Sequence, residues 1–332
     1  MPANHVIVSG IDWYSCNHAR SSDQVVAEAK PRQAPIMFKY PVPHLIILIA
    51  AVTMISSPVL ASPDRWKFEG WSKTDFSRTK IDFGEILSGG PPKDGIPAID
   101  KPTFETLNKS NALKDNVPVI GLEINGDARA YPIPVLMWHE IVNDTVGGEP
   151  VTVTYCPLCN AALVFHRKVG DQVLDFGTTG KLRNSDLVMY DRQTESWWQQ
   201  FTGEAIVGRL MGTELKLLPS RLESFSDFKQ RHPNGKILVP NNPAFRPYGR
   251  NPYVGYDSAA RPFLYRGSMP EGIEPMARVV VVRNNGQASA ISLKAVRDKK
   301  KVMLNGIQIS WKAGQASALD TSDIAKGRDV GG

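Results

Sequence analysis

The chain is poor in the side chains that reactive centres draw on. Its 332 residues hold three cysteines, Cys16, Cys156 and Cys159, and six histidines. No C-x-x-C-H run occurs, which excludes covalent c-type haem attachment at that motif. A dense basic helix is also missing. Lys and Arg outnumber Asp and Glu by 39 to 33, a net charge of +6, but they are scattered along the chain. That is not the footprint of a nucleic-acid binder, and none is expected as a partner. The short basic run Lys299–Lys301 reads as a solvated turn. Long apolar runs are absent too: the apolar core from Leu45 to Ile55 falls short of the roughly 20 residues of a spanning helix.

What that core does fit is a secretory signal peptide over 37–61. Met37 and Lys39 open it, and Val59-Leu60-Ala61 supplies small residues before a cleavage point. Thirty-six residues precede Met37 and show no clear period, so 1–36 read as an upstream extension absent from the mature protein. The mature chain then starts near Ser62 and is expected in the periplasm or outside the cell. It meets the membrane only through the signal segment, if that stays uncleaved. Cys16 drops out, leaving Cys156 and Cys159 in a compartment where thiols tend to be oxidised.

Residues 62–116, with runs such as SGGPPKDGIPAIDKP, read as a loop-rich N-terminal arm. From Val117 the pattern becomes strand-like. Asn125-Gly126 marks a hairpin, PVLMWHEIVND a short helix, and PVTVTY a strand ending at the cysteines. A hairpin turn is expected at Gly170-Asp171. A helix is expected over SRLESFSDFKQRHP, with Ser220 as its cap. The fold expected is α+β and predominantly β, with a core over 117–332.

That core contains an internal relation. VIGLEINGDARAYPIPVL, residues 119–136, meets VVVVRNNGQASAISLKAV at an offset of 160, with Val119, Asn125, Gly126, Ala128 and Ala130 recurring. VTVTYCPLCNAAL meets IQISWKAGQASAL at an offset of 156. The pattern predicts two related β-hairpin–helix–strand units, 119–165 and 279–319, in one compact body. Lys312 and Gln315 face Cys156 and Cys159, and Lys299 faces His139, so the chemistry is expected in the first unit alone.

The runs IPAID, GLEINGDARAYPI, WHEIVND, TYCPLCNAALVF, DLVMYDRQTESWW and GTELKLLP resemble one bacterial family, a domain of unknown function recognised by its YCPLCN and LVMYDRQT signatures. The resemblance spans about 90–320. It implies export and brings no established activity. The pattern departs at Arg183, where the resemblance implies an aromatic, and at Asp186, where it implies Asn.

Cysteines at i and i+3 in a tight turn can hold one metal ion. The expected ligand set is Cys156, Cys159 and His139, with His166 and Met189 as secondary candidates. His232 reads as the C-cap of a helix. Thiolates with imidazole suit copper or zinc, and neither a nucleotide nor a covalent haem is expected. Three alternatives remain open. A thiol–disulfide oxidoreductase would use Cys156 and Cys159 as its redox pair, although the β-type residues that follow do not suit a thioredoxin helix. A nucleophilic enzyme would use Cys156 with His139 as base and Glu140 or Asp144 orienting it. A non-catalytic interaction domain would hold the pair as a local disulfide, which closes too short a loop to stabilise much. Asn184, Ser185, Tyr190, Asp191, Arg192 and Trp198, with Trp197 beside them, are candidates to line a cleft next to the pair.

Overall fold

The computed structural model describes residues 5–10, 63–107, 113–284 and 287–332. Cys16, the proposed start at Met37, the signal segment 37–61 and the turn Asn285-Gly286 lie outside the described residues. Among the described residues no helix is long and apolar enough to cross a membrane.

Strand β1 is His5–Gly10, and helix α1 is Pro63–Phe68. Ile86–Ser88 (β2), Thr103–Thr106 (β3), Pro118–Ile124 (β4) and Asp127–Pro132 (β5) precede helix α2, Ile133–His139. Ile141–Val146 (β6), Glu149–Cys156 (β7) and Ala161–His166 (β8) follow, then the small hairpin Lys168–Val169 (β9) and Gln172–Val173 (β10). Phe176–Arg183 (β11), Asp186–Asp191 (β12), Trp197–Gln199 (β13), Glu204–Val207 (β14), Leu217–Leu218 (β15) and Arg221–Ser224 (β16) lead to helix α3, Phe225–Arg231. Lys236–Val239 (β17), Arg278–Asn284 (β18) and Gln287–Ser292 (β19) come before helix α4, Leu293–Lys299, and the hairpin Lys301–Leu304 (β20) and Ile307–Ser310 (β21).

The fold is α+β and mostly strand. Three larger sheets run β14-β13-β12-β11-β2, β15-β8-β7-β6 and β16-β4-β5-β17-β3, and a smaller one runs β1-β18-β19. Neighbours pair antiparallel except β17 with β5. The β6–β8 sheet is the middle layer, and its alternation explains why. Along β7, Val151, Val153 and Tyr155 enter one apolar cluster with Ile133, Leu136 and Val142, while Cys156 enters another with Leu163, Phe165 and Phe176. A strand with both faces buried is apolar or internally bonded for most of its length, and VTVTYC departs from this only at Thr152, whose buried Oγ1 has no hydrogen-bond partner among the described residues. Thr154 on the thiol face donates to the Leu163 carbonyl at 2.8 Å.

The β11–β14 sheet covers the thiol side. Leu187, Met189 and Trp198 face the cysteines' cluster, and Val188, Tyr190 and Trp197 face the opposite way. On that far side the arm docks through Trp66, Trp71 and Phe76, whose rings lie 4.8, 5.1 and 5.4 Å from Trp197. Edge-on packing of this kind suits the ring quadrupoles.

Two element boundaries differ from the sequence reading. The helix expected through Asp144 stops at His139, because Glu140 takes a φ of 57° and Ile141–Val146 pairs with β7. The helix expected from Ser220 starts at Phe225, because Arg221–Ser224 pairs with β4. Its cap is Ser224, whose hydroxyl accepts from the Asp227 N–H at 3.1 Å. The hairpins at Asn125-Gly126 and Gly170-Asp171 stand where expected.

Candidate metal centre

The two cysteines sit where β7 turns into β8. Cys156 pairs with Ala161 at the end of the ladder, leaving Pro157–Asn160 as a tight turn closed by the Asn160 N–H on the Pro157 carbonyl at 3.2 Å. Pro157 opens the turn as the residue whose carbonyl closes it, and Asn160 leaves it at the left-handed φ of 48°. Two tyrosines hold the turn from outside. Tyr155 donates to Asn160 Oδ1 at 3.0 Å, and Tyr256 donates to the Leu158 carbonyl at 3.0 Å. Both thiols are free and buried, with Cys156 1% and Cys159 8% exposed.

A third group able to act as a ligand comes from another sheet. The two-residue turn Asn184-Ser185, with φ of 53° and 68°, joins β11 to β12 and delivers Asp186 to the thiols. Cys159 Sγ lies 3.1 Å from Asp186 Oδ1. Asp186 Oδ2 is fixed by the Phe201 N–H at 3.0 Å and by the Gln199 side-chain amide. The ligand atoms of Cys156, Cys159 and Asp186 lie within 4.8 Å of one another. Two sulfurs and one carboxylate oxygen therefore converge on one buried point.

Burial pushes the Cys156 thiol up, hydrogen bonding with Cys159 opposes this in part, and the charges of Asp186 and Glu140 push it further up. Burial, with Cys156 and Asp186 beside it, holds the Cys159 thiol well above its usual range. Glu140 is itself buried, and burial with the Asp186 charge raises its carboxyl to about 8. Thiols next to carboxylates in a dry site stay protonated unless a cation compensates them.

His139 is not part of the group. Its Nδ1 faces the Pro97 carbonyl and its Nε2 the Tyr248 hydroxyl, each at 2.7 Å, and burial lowers its pKa. The short helix turns it to the arm, and Glu140, one residue on, turns toward the thiols instead. His166 bonds Glu149 at 2.8 Å and pairs with Val151, five positions along the ladder from Cys156. At about 3.3 Å per residue that is roughly 16 Å away. Met189 is fully buried in the same apolar cluster as the cysteines. His232 is the C-cap of α3.

Of the cleft candidates, Asn184 and Ser185 form the tip that carries Asp186. The others sit at the far end of β12 in structural contacts. Asp191 accepts from the Thr194 N–H at 2.6 Å and from Trp198 Nε1 at 2.9 Å. Arg192 pairs with Asp100, and Tyr190 donates to Asp94. Trp197 and Trp198 are fully buried. The sequence reading did not place Asp186 and Gln199 at the thiols. The two-residue Asn-Ser turn before DLVMYD was the one available signal that Asp186 stands at a hairpin tip.

Fold and site together define a β-rich α+β protein with a buried two-thiol, one-carboxylate centre between two sheets. Residues 93–332 match the family described as protein of unknown function (DUF3179), and the chain belongs to that family. No curated protein and no solved structure matches the chain.

Proposed function

We propose that the protein is an exported metal-binding protein whose ion is held by Cys156, Cys159 and Asp186. The observation that carries this reading is the convergence of those three ligand atoms within 4.8 Å at a buried point. A tetrahedral zinc ion sets sulfur and oxygen ligands roughly 3.3–3.8 Å apart, so the Cys159–Asp186 pair at 3.1 Å needs to open slightly and any separation near the 4.8 Å bound to close by about 1 Å. Between the two metals suggested by the thiols, the carboxylate favours zinc over copper, since Cu(I) prefers an all-soft set. A cation also supplies the charge that the acidic surroundings lack, and it would draw the protons off both thiols. Burial on all sides suits a structural or storage site more than an open catalytic one.

The thiol–disulfide alternative has one observation in its favour, two free sulfurs side by side. Their raised pKa counts against it, because exchange needs an accessible thiolate. Export rests on the segment 37–61, and N-terminal sequencing of the secreted form tests it: a start near Ser62 is expected. The matching elements of 118–156 and 278–310 support reading them as two copies of one unit.

The deciding experiment is native mass spectrometry of protein purified without chelator. The expected result is one zinc-sized increment per chain, absent in Cys156→Ser and bound at least tenfold more weakly in Asp186→Asn. A metal-free chain lighter by two hydrogens overturns the reading and puts the pair in a disulfide.

A further inference from the structure

The segment 240–277 joins β17 to β18 with one short turn of 3-10 helix, Tyr256–Ser258. Connections well beyond roughly 12–15 residues are uncommon in a compact body and most often serve as lids or binding loops. Its first part is tied down. The Asn251 N–H donates to the Ser322 carbonyl at 3.0 Å, and the Gly255 N–H to the Asp320 carbonyl at 2.7 Å. Asp257 pairs with Arg328 at 2.8 Å and accepts from the Ser317 hydroxyl. Residues 261–268 are bonded among themselves instead. Arg261 Nε donates to the Tyr265 carbonyl at 3.0 Å, and the Tyr265 hydroxyl to the Ser268 carbonyl at 3.1 Å.

One atom joins these two parts to the cysteine turn. The Tyr256 hydroxyl donates to the carbonyl of Leu158, between the two cysteines, and accepts from the Phe263 N–H, each at 3.0 Å. Charge on Cys156 or Cys159 acts on that hydroxyl, and charge on Glu140 or Cys156 acts on Tyr253 three residues before it. The turn projects past the last rung of the β7–β8 ladder, Cys156 with Ala161, and the segment packs over that end. Next to Phe263, Leu264 is held at a φ of 57°, a conformation that a branched, bulky residue keeps only under strain.

We propose that residues 259–268 form a lid over the thiols, latched by the Tyr256 hydroxyl, and that solutes reach Cys156 and Cys159 when it opens rather than when the two sheets part. Because one hydroxyl carries both bonds, lifting the Phe263 N–H frees the Tyr256 side chain to leave Leu158 and bare the turn. The strain at Leu264 favours that release. Phe263 is already 47% exposed, whereas the sheets meet through fully buried side chains such as Met189 and Trp198. Local opening of the lid is therefore the lower-energy route. The lid does not depend on what the thiols hold; the passage of an ion through it rests on the metal reading, and there it suits an ion that is stored and released.

Thiol labelling of the full chain by N-ethylmaleimide tests it. The protein is first stripped with EDTA and reduced, and labelled sites are located by peptide mass mapping, so that Cys16 is counted apart. In Tyr256→Phe, which keeps the ring and loses both bonds, Cys156 and Cys159 should label about tenfold faster or more. In both proteins the rate should stay nearly flat in urea below the unfolding transition, because a lid exposes little surface on opening. Equal rates in the two proteins overturn the proposal. So does a wild-type rate that climbs with urea in step with global unfolding, a result that decides the matter even if Tyr256→Phe fails to fold. For zinc-loaded protein, loss of the ion to excess EDTA should quicken by the same factor in Tyr256→Phe. A chain that takes up no zinc overturns the metal reading and leaves the labelling result standing.

Discussion

Residues 118–156 and 278–312 run through the same series: a hairpin, a seven-residue helix, then a second hairpin. The strands start at 118 and 278 and at 127 and 287, the helices at 133 and 293, and the next strands at 141 and 301. Even the irregular joint recurs, since Glu140 and Lys300 both end their helices at positive φ, 57° and 66°. The Tyr155 N–H bonds the Glu140 carbonyl at 2.8 Å, and the Trp311 N–H reaches the Lys300 carbonyl at 3.5 Å. The surroundings differ. β6 and β7 lie between two layers, whereas β20 and β21 form an isolated pair with half their residues exposed. The same order of elements therefore stands in two different surroundings. Enclosed, its joint holds a buried carboxylate beside two thiols; open, the same joint holds a solvated lysine. Burial, rather than the unit's own geometry, makes the first segment chemically distinctive.

The comparison can be broken by single substitutions, and the largest effect should come at the joint. Glu140 is raised from its ordinary 4.5 to about 8 in the fold. The folded state therefore holds a proton that the unfolded chain releases. That stabilisation is complete below about pH 4.5 and is lost as pH climbs through 8. In metal-free protein, unfolding free energy should fall by about 3–5 kcal/mol across that window. The groups whose charges act with Glu140 are Asp186, Cys156 and Tyr253. Glu140→Gln should flatten the slope in urea titrations at several pH values, and Lys300→Gln should leave it intact. A slope that survives Glu140→Gln would assign the dependence to another group.

Next in size is packing. Val153→Ala, in the enclosed strand, should cost about 2 kcal/mol, and Val302→Ala, at a half-buried position of the open pair, less than about 1 kcal/mol. Denaturant midpoints measure both, and equal costs would remove the distinction between the layers. The smallest effect belongs to Lys312→Ala. It breaks a solvent-facing pair with Asp227, one partner 67% exposed, and should change stability by at most about 0.5 kcal/mol in thermal unfolding.

Local chemistry made much of this legible from residues alone. Asn125-Gly126 can hardly be anything but a hairpin tip, and its φ values of 50° and 80° agree. The alternation in VTVTY announced a strand. The reading failed where one residue overrode its neighbours. Glu140 at positive φ is a conformation few sequences advertise, so WHEIVND looked helical throughout. His139 looked like the ligand because it is the obvious donor near the pair, but the helix points it at Pro97 and Tyr248. Asp186 stands 27 residues beyond Cys159 and on another sheet, and no spacing rule reaches that far. The resemblance implied Asn there; the Asp that stands in its place supplies an ionisable oxygen facing the thiol.

The position of Asp186 has a mechanical consequence. A bond between Cys156 and Cys159 would span only a single turn of chain, whereas an ion shared with Asp186 bridges two separate β-layers across those 27 residues. By loop-closure entropy a cross-link of that span restrains the unfolded chain by roughly 3–4 kcal/mol, against about 2 kcal/mol for the turn alone. The ion would act as a rivet, and losing it would loosen the seam between the sheets while leaving each ladder whole.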